Sequence, residues 1–246
     1  MEEENFLKMV EGMRIIMVDK KIILKKEEEM YDFYHSLVKM PEFILDIAFN
    51  FNGYIEIKQS SIHGMGVFAK QNIKKGSVIT IYPCDSLINE KAHLSLISSP
   101  SDEQLKKYES TYKLCCGDYS IVGFPENRLF HGHLINDACP CANEISIELA
   151  KGVNCQRFIK SSIKYMVKSL DRINCKPKYN ETVAYIVASR DISCGEEIYM
   201  SYGLLYWSQL LNTKLHKQYW SEYFNGITDN QKQYISKLYY QFFPQN

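Results

Sequence analysis

The chain has 246 residues and equal numbers of basic and acidic side chains, so it carries no net charge at neutral pH. Apolar residues make up 46% of it and charged residues 24%, the composition of a globular protein with its own core. The lack of a basic excess argues against direct binding to nucleic acid. A membrane-spanning helix needs roughly 20 apolar residues, and the run PEFILDIAFNF is interrupted by Asp46, so no membrane segment is expected.

The N-terminal sequence MEEENFLK is acidic and lacks an apolar signal core, so we expect an intracellular protein, cytoplasmic or nuclear. Its eight cysteines are then expected to stay reduced rather than to form disulfides. Structural zinc is usually held by two cysteine pairs with two to four residues between the partners. Cys139 and Cys141 lie closer than that and no second pair has the spacing of metal ligands, so we predict buried thiols and no metal site.

The first predicted element is a helix. Residues 27–40 carry apolar side chains at helical spacing behind three acidic residues, and Pro41 ends the segment. Residues 1–52 are therefore interpreted as an N-terminal helical extension.

From residue 53 the pattern changes to short, β-branched or alternating segments separated by turns, with no alternation of strands and long helices. Strands are predicted within residues 53–60, 77–84 and 182–190, a hairpin within 112–123, and turns at 74–76 and 193–197.

Helical spacing returns near the C-terminus, over residues 207–224 and again behind the capping-box sequence TDNQ at 228–231. We predict a C-terminal helical segment over residues 209–246.

Residues 151–190 contain nine basic side chains and only two acidic ones, whereas residues 1–50 lean acidic. A local basic excess of this kind forms either a solvated face or a surface for an acidic partner, and the sequence leaves both open.

Three segments concentrate small, polar and aromatic residues: HGMGVFA (63–69), HLINDACPCAN (133–143) and GEEIYMSYGLLYW (195–207). The glycines of the first allow a sharp turn and close approach of the backbone to a ligand. A dinucleotide fingerprint would need a third glycine and a following helix, so a nicotinamide cofactor is disfavoured.

Taken in this order, the three segments resemble the SET-domain family of protein lysine methyltransferases. HGMGVFA is similar to the family's opening Gly-x-Gly-x-Phe-Ala motif, and ASRDISCGEEIYMSYG (188–203) is similar to its closing signature. The core Asn-His-Ser-Cys motif is matched only at Asn136 and Cys139, because Asp137 and Ala138 replace the histidine and the serine. The resemblance covers about residues 54–208.

The resemblance implies a mainly β fold with some α structure (α+β): several small twisted β-sheets, a knot-like threading of the C-terminal segment, and flanking helices. The SET-like catalytic domain would span residues 53–208, with one insertion at about 85–110 and a basic insertion at about 144–181. The zinc clusters that precede or follow this domain in many relatives are absent from the sequence.

The implied activity is transfer of a methyl group from S-adenosylmethionine to a lysine side chain of a protein or peptide substrate. The amine must be neutral, although free lysine has a pKa near 10.4, so the site must desolvate it and hold it in line. The resemblance assigns the catalytic role to Tyr202. It assigns the lysine channel to three residues: Tyr82, Tyr199 and Met200. It assigns cofactor binding to Gly64, Met65, Gly66, Asn136, the main chain of Asp137, and Trp207.

Trp207 has an alternative interpretation as a core residue packed against helices.

Two further functions of the protein stay open at this point. The altered core motif also fits a SET fold that lost activity and binds a peptide or partner. A small zinc-dependent domain unrelated to methylation is the third interpretation. The oligomeric state, the substrate protein and the number of methyl groups added are not predicted.

Overall fold

The computed structural model describes residues 1–19, 53–89, 94–95, 108–109, 111–116, 119–127, 129–150, 155–180, 183–203 and 206–207. The helix predicted over 27–40, the whole predicted C-terminal helical segment and most of the 85–110 insertion lie outside these residues. The predicted domain boundaries adjoin or fall within the same undescribed stretches, so they stay predictions.

The described helices are α1 (Glu3–Asp19), α2 (Ala142–Ala150) and α3 (Cys155–Leu170), with a short 3-10 turn at Gly132–Leu134. None of these helices is long and apolar enough to cross a membrane. The strands are β1 (Ile55–Gln59), β2 (Met65–Ala69), β3 (Val78–Ile81), β4 (Ser86–Asn89), β5 (Leu94–Ser95), β6 (Lys113–Cys116), β7 (Tyr119–Val122), β8 (Asn136–Asp137), β9 (Cys175–Tyr179), β10 (Ala184–Ala188) and β11 (Tyr199–Met200).

Within the described residues these strands form four small sheets, with the orders β1-β2, β3-β10-β9, β11-β8 and β5-β4-β7-β6. The registers of the first, second and fourth sheets are antiparallel throughout. No closed barrel is formed by these strands. Small sheets accompanied by a few helices are the α+β architecture predicted above, and the knot-like threading stays a prediction.

The predicted strands are confirmed where they are described. The segments VITI and AYIVA are buried along their whole length, and they pair with each other as β3 and β10 of the three-stranded sheet. The predicted hairpin is formed by β6 and β7, with Cys116 opposite Tyr119. The turns at 74–76 and 193–197 are also present, each with a glycine at positive φ.

The chain divides into two compact units, one comprising residues 1–136 with 174–198 and the other residues 137–173 with 199–246. The first unit buries branched side chains of its sheets, including Ile79, Ile81 and Ile186. The second unit is built around a cluster formed by α2, α3 and the segment after β11, comprising Cys139, Ala142, Ile145, Leu149, Tyr165 and Trp207.

Helices α2 and α3 occupy most of the stretch described above as a basic insertion, for which the sequence suggested no secondary structure. The basic residues of α3 recur every three or four positions, at Arg157, Lys160, Lys164 and Lys168, and therefore share one face. Lys164 Nζ lies 3.4 Å from a carboxylate oxygen of Glu144 on α2, and the other three are exposed. These positions fit a solvated face, and a surface for an acidic partner stays a prediction.

Helix α1 is attached to the three-stranded sheet by one apolar and one charged contact. Phe6 is fully buried with its ring centroid 4.9 Å from that of Tyr185. The Glu3 carboxylate accepts hydrogen bonds from Lys178 Nζ at 2.7 Å and from the Tyr185 hydroxyl at 2.9 Å. Burial alone would raise the pKa of Glu3, but these donors outweigh it and hold the pKa below its usual range.

Replacing Glu3 with Gln should therefore destabilise the protein by about 1 kcal/mol at pH 7. Because the folded-state pKa of Glu3 is lowered, its contribution is present at neutral pH and is lost as the pH falls through that value. Urea unfolding of both proteins at pH 7 and near pH 3 measures this, and the difference should vanish in acid. Glu4→Gln is the matched control, since Glu4 is exposed and bonded to Lys8 on its own helix, and it should change little. Equal effects of the two variants would contradict the assignment.

Candidate functional site

The opening glycine motif forms a tight loop between β1 and β2. The Ser60 N–H donates to the Gly64 carbonyl at 2.8 Å, and the Ser60 hydroxyl accepts a hydrogen bond from the Ile62 N–H at 3.0 Å. Gly64 has φ +50°, a value that favours glycine, and the Met65 side chain is 48% exposed. The backbone of this loop is therefore locally fixed and presents Met65 to solvent.

Asn136 holds this loop from β8. Its side-chain Nδ2 donates to the carbonyls of His63 and Met65, at 3.0 and 3.1 Å, and to Glu197 Oε1 at 3.0 Å. Three acceptors around one amide nitrogen establish the orientation of the side chain. No described residue donates to the remaining Asn136 Oδ1, so this oxygen can accept a hydrogen bond from a ligand.

Glu197 completes this arrangement, and the sequence interpretation missed its role. Its carboxylate accepts from Asn136 and, at 3.0 Å, from the Ser60 hydroxyl. A Cβ at Gly66 would lie 2.2 Å from Glu197 Oε1 and 2.9 Å from Asn136 Nδ2. Gly66 is therefore required because the two side chains pack directly against its α-carbon. Glu197 is the second glutamate of the closing signature. Its place in that motif was the sequence feature from which a role in the site could have been predicted.

In the second unit, the Asp137 carboxylate accepts four hydrogen bonds. Its Oδ2 accepts from the Tyr165 hydroxyl at 2.5 Å, the Tyr202 N–H at 2.8 Å and Trp207 Nε1 at 3.1 Å. Its Oδ1 accepts from the Cys139 N–H at 2.6 Å. We call these five residues the Asp137 network. Asp137 was predicted to act through its main chain, whereas here its side chain organises the unit.

The network is buried, which affects both of its titratable members. Burial raises the pKa of Asp137 above its ordinary value, and the four donors only partly oppose this. Burial and the neighbouring carboxylate raise the pKa of Tyr165 well above 10. Tyr165 is therefore a neutral hydroxyl at physiological pH and acts as a fixed hydrogen-bond donor.

The predicted catalytic residue, Tyr202, lies in an aromatic group formed with Tyr206 and Trp207. The Tyr202 ring is nearly parallel to that of Trp207, with centroids 6.0 Å apart, and perpendicular to that of Tyr206 at 4.8 Å. Trp207 is 8% exposed and belongs to the core cluster of this unit. The structure thus gives Trp207 a packing role, and adenine stacking by this residue stays a prediction.

Two predicted channel residues form β11, immediately before this group. Tyr199 is buried, with the Arg172 guanidinium 4.9 Å from its ring centroid and Arg172 Nη2 donating to its hydroxyl at 3.2 Å. Met200 is also buried, and its carbonyl accepts from the Ala138 N–H at 2.8 Å. Arg172 was seen in the sequence only as part of the basic stretch.

The third predicted channel residue, Tyr82, belongs to the first unit. Its hydroxyl donates to the Tyr112 carbonyl at 3.0 Å, and both rings lie edge-on to the His133 imidazole. The structure therefore brings together Gly64, Met65, Gly66 and Asn136 in the first unit, and Asp137, Tyr199, Met200, Tyr202 and Trp207 in the second.

The cysteines of the core motif are both thiols. Cys139 Sγ and Cys141 Sγ are 3.7 Å apart, Cys139 is buried, and burial raises the pKa of its thiol. Among the described residues, no three His, Cys, Asp or Glu side chains converge so that they could hold a metal ion.

Substitution of Gly66 by Ala should destabilise the protein by about 2 kcal/mol, because the new methyl group meets a carboxylate that Ser60 and Asn136 hold in place. Removing the obstacle in Gly66→Ala/Glu197→Ala should recover part of the loss that the two single substitutions together predict. A double-mutant cycle by chemical denaturation should give a coupling free energy of about 1 kcal/mol or more. Additive losses would show that Glu197 is not what excludes a side chain at position 66.

The buried imidazole of His133 predicts that the folded protein loses stability in acid. Neither ring nitrogen has a hydrogen bond of normal geometry among the described residues. Burial and nearby His131 lower the pKa of His133 to about 3, and a polar contact with the Phe124 backbone only partly opposes this. Because the folded pKa lies below the unfolded value, this residue costs stability as the pH falls from about 6.5 toward 3, by about 1.4 kcal/mol per pH unit.

His133→Leu should flatten the stability profile over this interval, which urea unfolding at half-unit pH steps would measure. The pH dependence contributed by carboxylates is common to both proteins, so the difference between the two curves isolates His133. Parallel curves would contradict the buried neutral imidazole.

Solved structures that are similar to this chain include the following three, each aligned over 61% of this chain. CpSET8 from Cryptosporidium is 22% identical with a TM-score of 0.37, and a candidate histone methyltransferase of Plasmodium falciparum is 20% identical with a TM-score of 0.33. ATXR5, in complex with mono-methylated histone H3.1, is 18% identical with a TM-score of 0.36. The alignments cover 57%, 93% and 56% of those chains, so two of the three are matched over little more than half their length.

No curated protein sequence is significantly similar to this chain. The profile of the SET domain, however, matches residues 64–203, which is more than half of the chain and includes all three motifs up to Gly203. The chain belongs to the SET-domain family.

Proposed function

We propose that this protein is a methyltransferase that uses S-adenosylmethionine to methylate lysine side chains of a protein, either a histone or another substrate. The observation that carries the proposal is the environment of Tyr202. Its backbone N–H is held by a buried carboxylate, and its ring is packed between Tyr206 and Trp207. The resemblance to the SET family assigns this residue the catalytic role.

The opening loop supports a cofactor site. When bound, S-adenosylmethionine supplies a methyl group from its sulfonium. The Asn136 Oδ1 is an acceptor that suits the ammonium of the cofactor's methionine part, and the adjoining loop places Gly64 and Met65 at the surface. The fit rests on these residues, together with the fixed loop geometry that Glu197 enforces.

The aromatic group supports lysine chemistry. An ammonium has no lone pair, so the site must favour the neutral amine, and apolar ring faces do this by disfavouring the charged form. The Tyr202 hydroxyl is then the group proposed to orient the amine nitrogen. Tyr199 and Met200, both buried just before it, are proposed channel walls, and Tyr82 is proposed as a further wall.

Replacement of Tyr202 by Phe should lower methyl transfer by about 100-fold or more, because one oxygen at the reacting amine is lost. The measurement is incorporation from labelled S-adenosylmethionine into histones, a cell lysate and the protein itself. Cofactor affinity, followed by calorimetry, should change by less than about threefold, since Tyr202 is not proposed to hold the cofactor. Tyr179→Phe is the control, because this tyrosine is exposed in β9. It belongs neither to the Asp137 network nor to the contacts of Asn136 and Glu197. Equal incorporation by wild type and Tyr202→Phe would overturn the assignment of this tyrosine.

A second candidate is a SET fold that no longer catalyses methyl transfer and binds a peptide or partner. Asn136 favours it, because the two hydrogens of its Nδ2 are directed to three protein acceptors and leave none for a cofactor. The altered core residue Asp137 favours it as well. Absence of heat on titration with millimolar S-adenosylmethionine would support this candidate and reject the first.

A further inference from the structure

We propose that Tyr165, on helix α3, is a positioning residue for the catalytic tyrosine. Together with Asp137 it holds the backbone of the turn Ser201–Gly203, from which the Tyr202 side chain projects. The proposal deepens the function above and rests on Tyr202 being the catalytic residue. It also gives the basic insertion, whose role the sequence left open, a part in the site.

The contacts that carry the proposal are made to consecutive residues. The Tyr165 hydroxyl accepts from the Gly203 N–H at 3.0 Å and lies 3.2 Å from the Ser201 Oγ. The same hydroxyl donates to Asp137 Oδ2, which accepts from the Tyr202 N–H. The amides of Tyr202 and Gly203 are therefore held by side chains from outside this segment.

The conformation of the turn makes this support necessary. Gly203, immediately after Tyr202, has φ +83°, a backbone conformation that favours glycine. Ser201–Gly203 lie outside the described strands, so their N–H groups need acceptors other than a strand ladder. The Tyr165 hydroxyl supplies the acceptor at this position.

Burial and protonation determine what Tyr165 can do there. The residue is 2% exposed and Asp137 is 5% exposed, so their side chains are shielded from water, whereas Ser201–Gly203 are half-buried. The Tyr165 hydroxyl donates its hydrogen bond to a carboxylate oxygen of Asp137. Its oxygen is then left to accept hydrogen bonds from the Gly203 N–H and the Ser201 hydroxyl. It therefore acts on catalysis through the geometry of Tyr202, and an error of about 1 Å in such geometry can cost about 100-fold in rate.

Tyr165→Phe tests this by removing one oxygen while keeping the ring. The expected result is a fall in kcat of at least about tenfold, with the KM for peptide and the Kd for S-adenosylmethionine within about threefold of wild type. Tyr185→Phe is a matched control, because Tyr185 is also a buried tyrosine whose hydroxyl donates to a carboxylate, that of Glu3 in the first unit. It should lose comparable stability and keep kcat. Equal kcat losses in the two variants, or a loss confined to KM, would overturn the proposal.

Amide hydrogen exchange tests the same contacts without any activity. In Tyr165→Phe the amides of Tyr202 and Gly203 should exchange at least about tenfold faster, whereas those of β10 should be unchanged. Unchanged protection at Gly203 would overturn the positioning role even if wild type is active. Faster exchange at both amides in a protein that transfers no methyl group would leave the positioning of the turn established and reject the proposed function alone.

Discussion

The buried carboxylate of Asp137 is the interaction on which the second unit depends. It accepts hydrogen bonds from helix α3, from the turn after β11 and from the Trp207 ring, all far from it in the chain, and from the N–H of nearby Cys139. A carboxylate removed from water costs several kcal/mol unless donors surround it, so these segments must arrive together for the carboxylate to be tolerated. A neutral histidine, the residue at this position of the family motif that the sequence resembles, would offer a single acceptor nitrogen and could not accept the same four hydrogen bonds. In this chain Tyr165 and Trp207 supply two of the four donors to Asp137.

Asn136, the residue before Asp137, takes part in a different set of hydrogen bonds. Its side-chain amide holds the opening loop, and Glu197 and Ser60 complete that arrangement within the first unit. Successive residues of a strand project to opposite faces, so two neighbouring positions of β8 can supply two separate sets of contacts. The loop combines local hydrogen bonds of Ser60 with long-range ones to Asn136, and the tyrosine turn is held by long-range hydrogen bonds.

The insertion helix α3 shows where pattern reasoning stops. Its buried positions include Ser161, Tyr165 and Ser169, whereas Ile163, Val167 and Leu170 are 41 to 57% exposed. Apolar side chains therefore occur on both faces of this helix, since Met166 is buried as well. The buried serines are accommodated because hydroxyls can bond within the helix, as Ser169 Oγ does to the Tyr165 carbonyl at 2.7 Å. The regular spacing of the basic residues was visible, but spacing alone did not establish which face would be covered.

The sequence by itself determined the family, the α+β class, the short strands, the hairpin and the position of the candidate tyrosine, because these depend on residue types at fixed separations along the chain. It also located Gly66 and Asn136 within ordered motifs. Only the tertiary structure decided the partners: Glu197 against Gly66, Tyr165 and Trp207 on the Asp137 carboxylate, Arg172 over Tyr199, and the neutral His133 beside Tyr82. Each of these depends on side chains separated by more than 25 residues and on the loss of water around them, and neither quantity can be read from spacing.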